Sequence, residues 1–360
     1  MKRAKLVLLL CLALILSSCG KGGNEVKDTN KLSVVTSFFP NYDMVKKIGG
    51  DKVEVVNLTQ TGDAHTFEPK IQDMEKIYDS KLLVVNGAGF EPWLDKVLEG
   101  KKDLNVLKLS DGLELLKTAD LHNHEDEDHD HDEKDHDHDH DHEEAEHDHD
   151  HEEADHDHEK DSHNEHEHDH DEEHDHGHEG HHHHGEYDPH TWLSPKLYAK
   201  MLEKTKDKLI EIDTANKDYY TENYNKAAKE VEQLIKEYDE NLSKYSGKKI
   251  VTPHEAFNYM LHEYGIEQIA IEGINSVAEP NAAKMKEIVD KMKENNVKTV
   301  FYEYNKSDKV AKSIANEIGG NVKEITTLEV ISDKDASAGA DYISLMKMNL
   351  KNIVDSFEGK

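Results

Sequence analysis

Three histidines and one glutamate occupy positions where their side chains could meet in a cleft. His65 follows VEVVNLTQ in a glycine-containing turn, and His254 directly follows the strand-like run KKIVTP. Glu329 follows NVKEITTL, and His190 lies in YDPHTWLSP, where Pro189 restricts the backbone. In open parallel sheets, ligands bind beyond the carboxyl ends of the strands. Three imidazoles and one carboxylate from four loops would suit tetrahedral zinc, although a histidine in a loop, taken alone, is more often an ordinary surface residue.

A second and much denser group of histidines lies between residues 121 and 186. This segment contains 24 histidines, 31 acidic residues and two lysines. It cannot bury enough apolar surface to offset the entropy of ordering, so we expect residues 119–186 to form a disordered loop. The flexible imidazoles of this loop should bind metal weakly and raise its local concentration. Alternatively, the loop is only a solvated spacer. The candidates for accessory metal capture are His181, His182, His183 and His184.

The acidic character of the chain is confined to that loop. The formal net charge is −34, and residues 121–186 account for −29, which leaves −5 for the rest. The remainder has no basic face, so we do not expect a nucleic-acid partner.

The first 18 residues are typical of an export signal. A basic start precedes an apolar run from Leu6 to Leu16 that is too short to span a bilayer. The run ends in LSSC, which resembles the lipobox of bacterial lipoproteins and implies cleavage before Cys19 and acylation of its thiol. A plain secretory signal is the alternative. Residues 19–30 lack apolar periodicity and are predicted to be a flexible tether.

Short apolar runs alternate with amphipathic stretches twice along the chain, which predicts an α/β protein with two parallel-sheet lobes of about four strands each. Lys217 to Tyr245 would form one linking helix about 43 Å long at 1.5 Å per residue. A pair of ordinary lobe helices is the alternative. The predicted N-terminal lobe covers residues 31–118 and 187–216, the linking helix 217–245, and the C-terminal lobe 246–360.

Five segments together resemble one family of proteins. TSFFPNYDM, GDAHTFEP, DPHTWLSP, TPHEAFNYM and GINSVAEP are similar to segments of the zinc-binding lipoproteins that serve bacterial ABC importers, the ZnuA and AdcA type of cluster A-I metal receptor. The similarity covers essentially the whole mature chain. It implies imidazole ligands at His65, His190 and His254 and a variable fourth ligand near Glu329, a position where some relatives use water.

The identity of the fourth ligand and of the metal is less fixed. Glu279 and Glu303 are the competing carboxylates. Manganese-binding relatives replace the third imidazole by glutamate and use aspartate fourth. Because His254 offers imidazole nitrogen, Zn²⁺ is favoured over Mn²⁺, although Glu255 lies beside it.

The resemblance implies a monomeric, lipid-anchored extracytoplasmic receptor that passes Zn²⁺ to an ABC permease and catalyses no reaction. Two alternatives belong to other functional classes. A zinc hydrolase would hold metal with the three histidines and keep water in the fourth position. A surface metal buffer or adhesive lipoprotein would have no transporter partner.

Overall fold

The computed structural model describes residues 31–119, 185–274 and 280–360. Several sequence predictions fall outside these residues: the signal peptide, the lipidated Cys19, the tether, almost all of the histidine-rich loop with His181 to His184, and Glu279.

The N-terminal lobe is built on a four-stranded parallel sheet with the order β2-β1-β3-β4. The third strand, LLVV, is buried at every position, because helices cover both faces of the sheet and no polar alternation is needed. The elements of this lobe are β1 Leu32–Thr36, α1 Phe39–Gly49, β2 Val53–Asn57, α2 Ile71–Asp79, β3 Leu82–Val85, α3 Leu94–Gly100 and β4 Val106–Lys108.

The C-terminal lobe repeats this topology. Its four parallel strands have the order β6-β5-β7-β8, which is the order of the first sheet. The elements are β5 Lys249–His254, α6 Asn258–His262, β6 Glu267–Glu272, α7 Ala282–Glu294, β7 Thr299–Glu303, α8 Lys309–Asn316, β8 Asn321–Ile325, α9 Asp333–Ser337 and α10 Tyr342–Glu358.

Two helices join the lobes, α4 Pro195–Ile212 and α5 Lys217–Leu242. Ser194 caps α4 by accepting a hydrogen bond from the Leu197 N–H. The 26 residues of α5 extend about 39 Å at 1.5 Å per residue. One face of α5 is buried at helical spacing, at Tyr220, Ala227, Val231, Leu234, Tyr238 and Leu242.

The long helix binds elements of both lobes. The Asn223 side chain donates to the carbonyl of Ile48 at the end of α1, and the Tyr238 hydroxyl donates to the carbonyl of Met346 in α10. The predicted class, two parallel α/β lobes joined by a long linking helix, is confirmed. The helix ends at Leu242 and a short 3-10 turn covers Ser243–Tyr245.

The lobes share a hydrophobic core. One buried cluster contains Phe38, Trp192, Leu234, Phe257 and Tyr342, and so runs from the first sheet through the joining helices to the second. Wide separation of the lobes would expose this apolar surface at a cost of roughly 25 cal/mol per Å². No helix in the described part of the chain has the length and apolarity needed to cross a membrane.

Candidate metal centre

Four side chains from both lobes converge in the cleft between the sheets. His65 lies in the loop after β2, His190 precedes the short helical turn at Thr191–Leu193, His254 is the last residue of β5, and Glu329 follows β8. One nitrogen from each histidine and one oxygen from Glu329 lie within 4.8 Å of one another. The four residues singled out in the sequence are therefore brought together.

Two of the distances between these atoms match those around a small tetrahedral cation. His65 Nε2 lies 3.2 Å from His190 Nε2 and 3.4 Å from Glu329 Oε1. His254 Nε2 lies 3.9 Å from the same Glu329 oxygen. A tetrahedral zinc with bonds of about 2.1 Å places its ligand atoms about 3.4 Å apart. Only small shifts would be needed to close this set of donors around one ion.

His190 is held from both sides. Asp188 Oδ1 accepts hydrogen bonds from the His190 backbone N–H at 2.9 Å and from ring Nδ1 at 2.8 Å. The Asn86 side chain donates to the carbonyl of Pro189 and accepts from the hydroxyl of Thr191. Because a carboxylate only accepts, Nδ1 carries the proton and the lone pair of Nε2 faces the other ligands.

His65 is held by fewer contacts. Its backbone N–H donates to Asp63 Oδ1 at 2.8 Å, and its ring packs edge-on against Phe90 with centroids 4.8 Å apart. The polar contacts of the ring are with other members of the cluster, His190 and Glu329.

The C-terminal lobe presents unpartnered donor atoms. Both ring nitrogens of His254 and Glu329 Oε1 are buried without a hydrogen-bond partner, and Asn41 Oδ1 is the only other such side-chain atom in the described residues. A buried polar group without a partner costs about 1–3 kcal/mol. Two of these atoms, His254 Nε2 and Glu329 Oε1, lie 3.9 Å apart in the cluster, which is typical of a site that is completed by a ligand.

Protonation in the cluster follows from burial and charge. Burial lowers the pKa of His254 to about 3, so this imidazole is neutral at physiological pH. Burial also disfavours the charged form of His65, but the charge and hydrogen bond of Glu329 together with the charges of Asp63 and Glu303 outweigh it and raise the pKa of His65. Burial alone would raise the pKa of Glu329, but its charge interactions, chiefly with His65, lower it to about 2. When no cation lies between His65 and Glu329, a proton on the His65 ring can balance the negative charge of the Glu329 carboxylate.

Of the two competing carboxylates, Glu303 lies in the described chain and stands outside the cluster. Its Oε2 lies 3.7 Å from His254 Nδ1, on the side of the ring that faces away from Glu329. Lys306 forms an ion pair with it at 2.9 Å, and the Thr327 hydroxyl donates to its other oxygen. Its charge is thus already balanced by an ammonium group, which favours Glu329 as the fourth donor.

The segment that carries Glu329 is fixed in an unusual conformation. Leu328 has φ +60°, in the left-handed region that costs a branched residue about 1–2 kcal/mol. Trp192 Nε1 donates to the carbonyl of Thr327 at 2.7 Å, and the Phe39 N–H donates to the carbonyl of Glu329. Contacts from the N-terminal lobe therefore hold the backbone on both sides of this strained residue.

Asp188 and its partner Asn258, which donates to Asp188 Oδ2 at 3.0 Å, are not among the site residues predicted from the sequence. One signal was available. Residues 63–67 (DAHTF) and 188–192 (DPHTW) share the pattern Asp-x-His-Thr-aromatic, which places an aspartate two residues before two of the histidines.

Comparisons with known proteins identify the family of this chain. A sequence model of the ZnuA family, described as "Zinc-uptake complex component A periplasmic", matches residues 34–356. The chain is 31% identical to the zinc-binding lipoprotein AdcA of Streptococcus pneumoniae over 98% of its own length and 60% of that protein. It is 31% identical to the high-affinity zinc uptake system protein ZnuA of Bacillus subtilis, with 95% of this chain and 94% of that protein covered.

A solved structure has the same architecture. The Zn(II)-bound ZnuA-like domain of S. pneumoniae AdcA superposes with a TM-score of 0.67 at 27% identity, covering 91% of this chain and 98% of that domain. The resemblance noted in the sequence is confirmed. Since the family match extends through both lobes, the chain belongs to the ZnuA family of zinc-uptake components.

Proposed function

We propose that this protein binds Zn²⁺ in the interlobe cleft through His65, His190, His254 and Glu329 and delivers it to an ABC permease. The observation that carries the proposal is the set of four donor atoms, which lie within 4.8 Å of one another, with His65 Nε2 at near-tetrahedral separations from two of the others. The family membership and the zinc-binding names of the relatives support the same metal.

The donor set favours zinc over harder cations. Three imidazole nitrogens and one carboxylate oxygen suit a borderline ion, whereas manganese prefers sites richer in oxygen. Intrinsic affinity would place copper above zinc, so selectivity rests on the enforced geometry and on metal supply.

Four protein donors leave no coordination position open. A catalytic zinc needs a fourth site for water or substrate, and Glu329 would fill that site here. The arrangement therefore supports a binding protein more than a hydrolase.

Export and anchoring are proposed on the sequence. Acylation of Cys19 would hold the protein at the outer face of the cell membrane, beside a permease, and the lipoprotein names of relatives are consistent with this. The monomeric state and the lack of a nucleic-acid partner stay predictions. We also propose that the histidine-rich loop captures zinc weakly and feeds the cleft. A variant without residues 120–184 should keep the tight site but take up zinc more slowly under scarcity, and equal uptake would favour a spacer.

The test of the main proposal is competitive zinc titration of that loop-deleted protein. Alanine variants of His65, His190, His254 and Glu329 should each lose tight binding of one equivalent of zinc. His262→Ala is the matched control, because this histidine is exposed and lies outside the cluster. Tight binding that survives all four substitutions would contradict the proposal.

A further inference from the structure

A chain of polar side chains crosses from the His190 segment to the His254 segment. Asn258 donates to Asp188 Oδ2 at 3.0 Å and accepts a hydrogen bond from the Gln268 amide. Gln268 Oε1 in turn accepts from the Thr252 hydroxyl at 3.2 Å and the Phe257 N–H at 3.3 Å. Thr252 precedes His254 by two residues and Phe257 follows it by three. Gln268 therefore binds residues on both sides of that histidine.

Asp188 is the centre of this arrangement. It is fully buried, and its Oδ1 accepts from both the backbone and ring Nδ1 of His190. Its backbone carbonyl accepts from the hydroxyl of Tyr259, which follows Asn258 in α6. One carboxylate thus orients a ring of the N-terminal lobe with one oxygen and binds the C-terminal lobe with the other.

We propose that Asp188, Asn258 and Gln268 form a positioning network that fixes the His190 tautomer and sets the spacing between His190 and His254. This inference rests on the proposed function, in which both histidines bind zinc. Partners behind metal-binding imidazoles orient the ring and raise its basicity, and their loss typically costs 10–100-fold in metal affinity.

The network can be tested by exchanging the carboxylate at position 188 and the amide at position 258, because each hydrogen bond has a defined donor and acceptor. In Asp188→Asn, either orientation of the new amide directs its NH₂ group at a donor, of Asn258 or of His190. In Asn258→Asp, two carboxylates face each other in a buried site. The double variant carries both substitutions and restores a donor opposite an acceptor across the lobes. Its amide at position 188 donates to the carboxylate at position 258, which still accepts from Gln268.

The experiment measures zinc retained by the full chain against a chelator strong enough to strip weak sites. Each single variant should retain zinc about 10- to 100-fold more weakly than the unaltered protein. The double variant should recover most of that loss. Asn216→Asp is the matched control, since Asn216 donates to Asp213 at 2.7 Å far from the cluster, and its zinc retention should not change.

A second readout separates positioning from folding. The His190 Nδ1–H is buried and hydrogen-bonded, so it should give a slowly exchanging downfield proton resonance in metal-free protein, whereas exposed imidazoles exchange too fast to be seen. This resonance should shift or vanish in Asp188→Asn. If Asp188→Asn or Asn258→Asp prevents folding, Asn258→Ala serves instead, because it removes the interlobe donor without adding charge. It should also weaken zinc retention.

The outcomes distinguish the two proposals. Suppose that His190→Ala abolishes zinc retention. The positioning network would then be overturned if the single variants retained zinc normally, or if the double variant retained it as weakly as the single variants. If His190→Ala itself retained zinc as well as the unaltered protein, the proposed zinc site would be wrong.

Discussion

Residues 63–67 and 188–192 share the pattern Asp-x-His-Thr-aromatic, yet the protein holds them differently. In both, an aspartate oxygen accepts from the backbone N–H of the histidine, at 2.8 Å for His65 and 2.9 Å for His190. In the second segment the same oxygen also binds the histidine ring, and Asp188 is completely buried. The backbone hydrogen bond is the same, but only one of the two rings is hydrogen-bonded to its aspartate.

The flanking residues extend the difference. Thr191 is buried and donates to Asn86, whereas Thr66 is exposed. Trp192 is fully buried with a hydrogen bond to the other lobe, whereas Phe67 is only partly buried. Burial therefore decides how far a short sequence pattern preorganises a ligand. His190 is oriented by the fold, and His65 is oriented mainly by the other groups of the site.

Loss of either histidine should have the largest effect on zinc binding. We expect His65→Ala and His190→Ala to weaken tight binding by more than the ~100-fold typical of losing an outer partner, since a direct ligand is removed. Zinc competition with a chelator on the loop-deleted protein measures this. Equal affinity in His65→Ala would mean that residues 63–67 contribute no ligand.

The two aspartates should differ in stability. Asp188→Ala leaves several buried donors unpaired at about 1–3 kcal/mol each, so we expect the free energy of unfolding to fall by roughly 3 kcal/mol or more. Asp63→Ala removes one partly exposed bond and should cost about 0.5–1.5 kcal/mol. Denaturant unfolding of metal-free protein compares them, and similar losses would contradict the contrast between the segments.

The pH dependence of affinity should come from His65. Its pKa is raised, and zinc needs the neutral ring, so binding must displace a proton once the pH falls below that raised pKa. We expect affinity to fall about tenfold per pH unit there. His254 should add no competition above about pH 3, where it is already neutral. Isothermal titration in buffers of different ionisation enthalpy counts the released protons, and affinity unchanged between pH 7.5 and 5.5 would contradict this account.

The aromatic positions should give smaller effects than the loss of Asp188. Trp192→Phe leaves the Thr327 carbonyl unpaired and should lower the free energy of unfolding by about 1–3 kcal/mol. Phe67→Leu, a conservative change at a partly exposed site, should cost less than about 1.5 kcal/mol. Thermal unfolding of the two variants is the measurement, and a larger loss for Phe67→Leu would reverse the comparison.

The architecture could be predicted from the sequence because periodic apolar runs indicate which segments are buried. Both sheets were predicted, and so was the convergence of His65, His190, His254 and Glu329, since parallel strands bring their carboxyl ends to one edge. The limits assigned to the export signal, tether and histidine-rich loop stay predictions.

The supporting contacts could not be predicted. Asp188 and Asn258 are 70 residues apart, and their bond depends on how the lobes pack. Which carboxylate joins the cluster depends on the side of the His254 ring that each one faces, and Glu303 lies on the far side. The left-handed Leu328 has no sequence signal, because leucine does not favour that conformation.

The most direct test of the central claim is a crystal structure of the zinc-loaded protein with data collected on both sides of the zinc absorption edge. We predict one fully occupied zinc bound by Nε2 of His65, His190 and His254 and by Glu329. Zinc bound only by histidines of residues 121–186, with none between the lobes, would contradict the account.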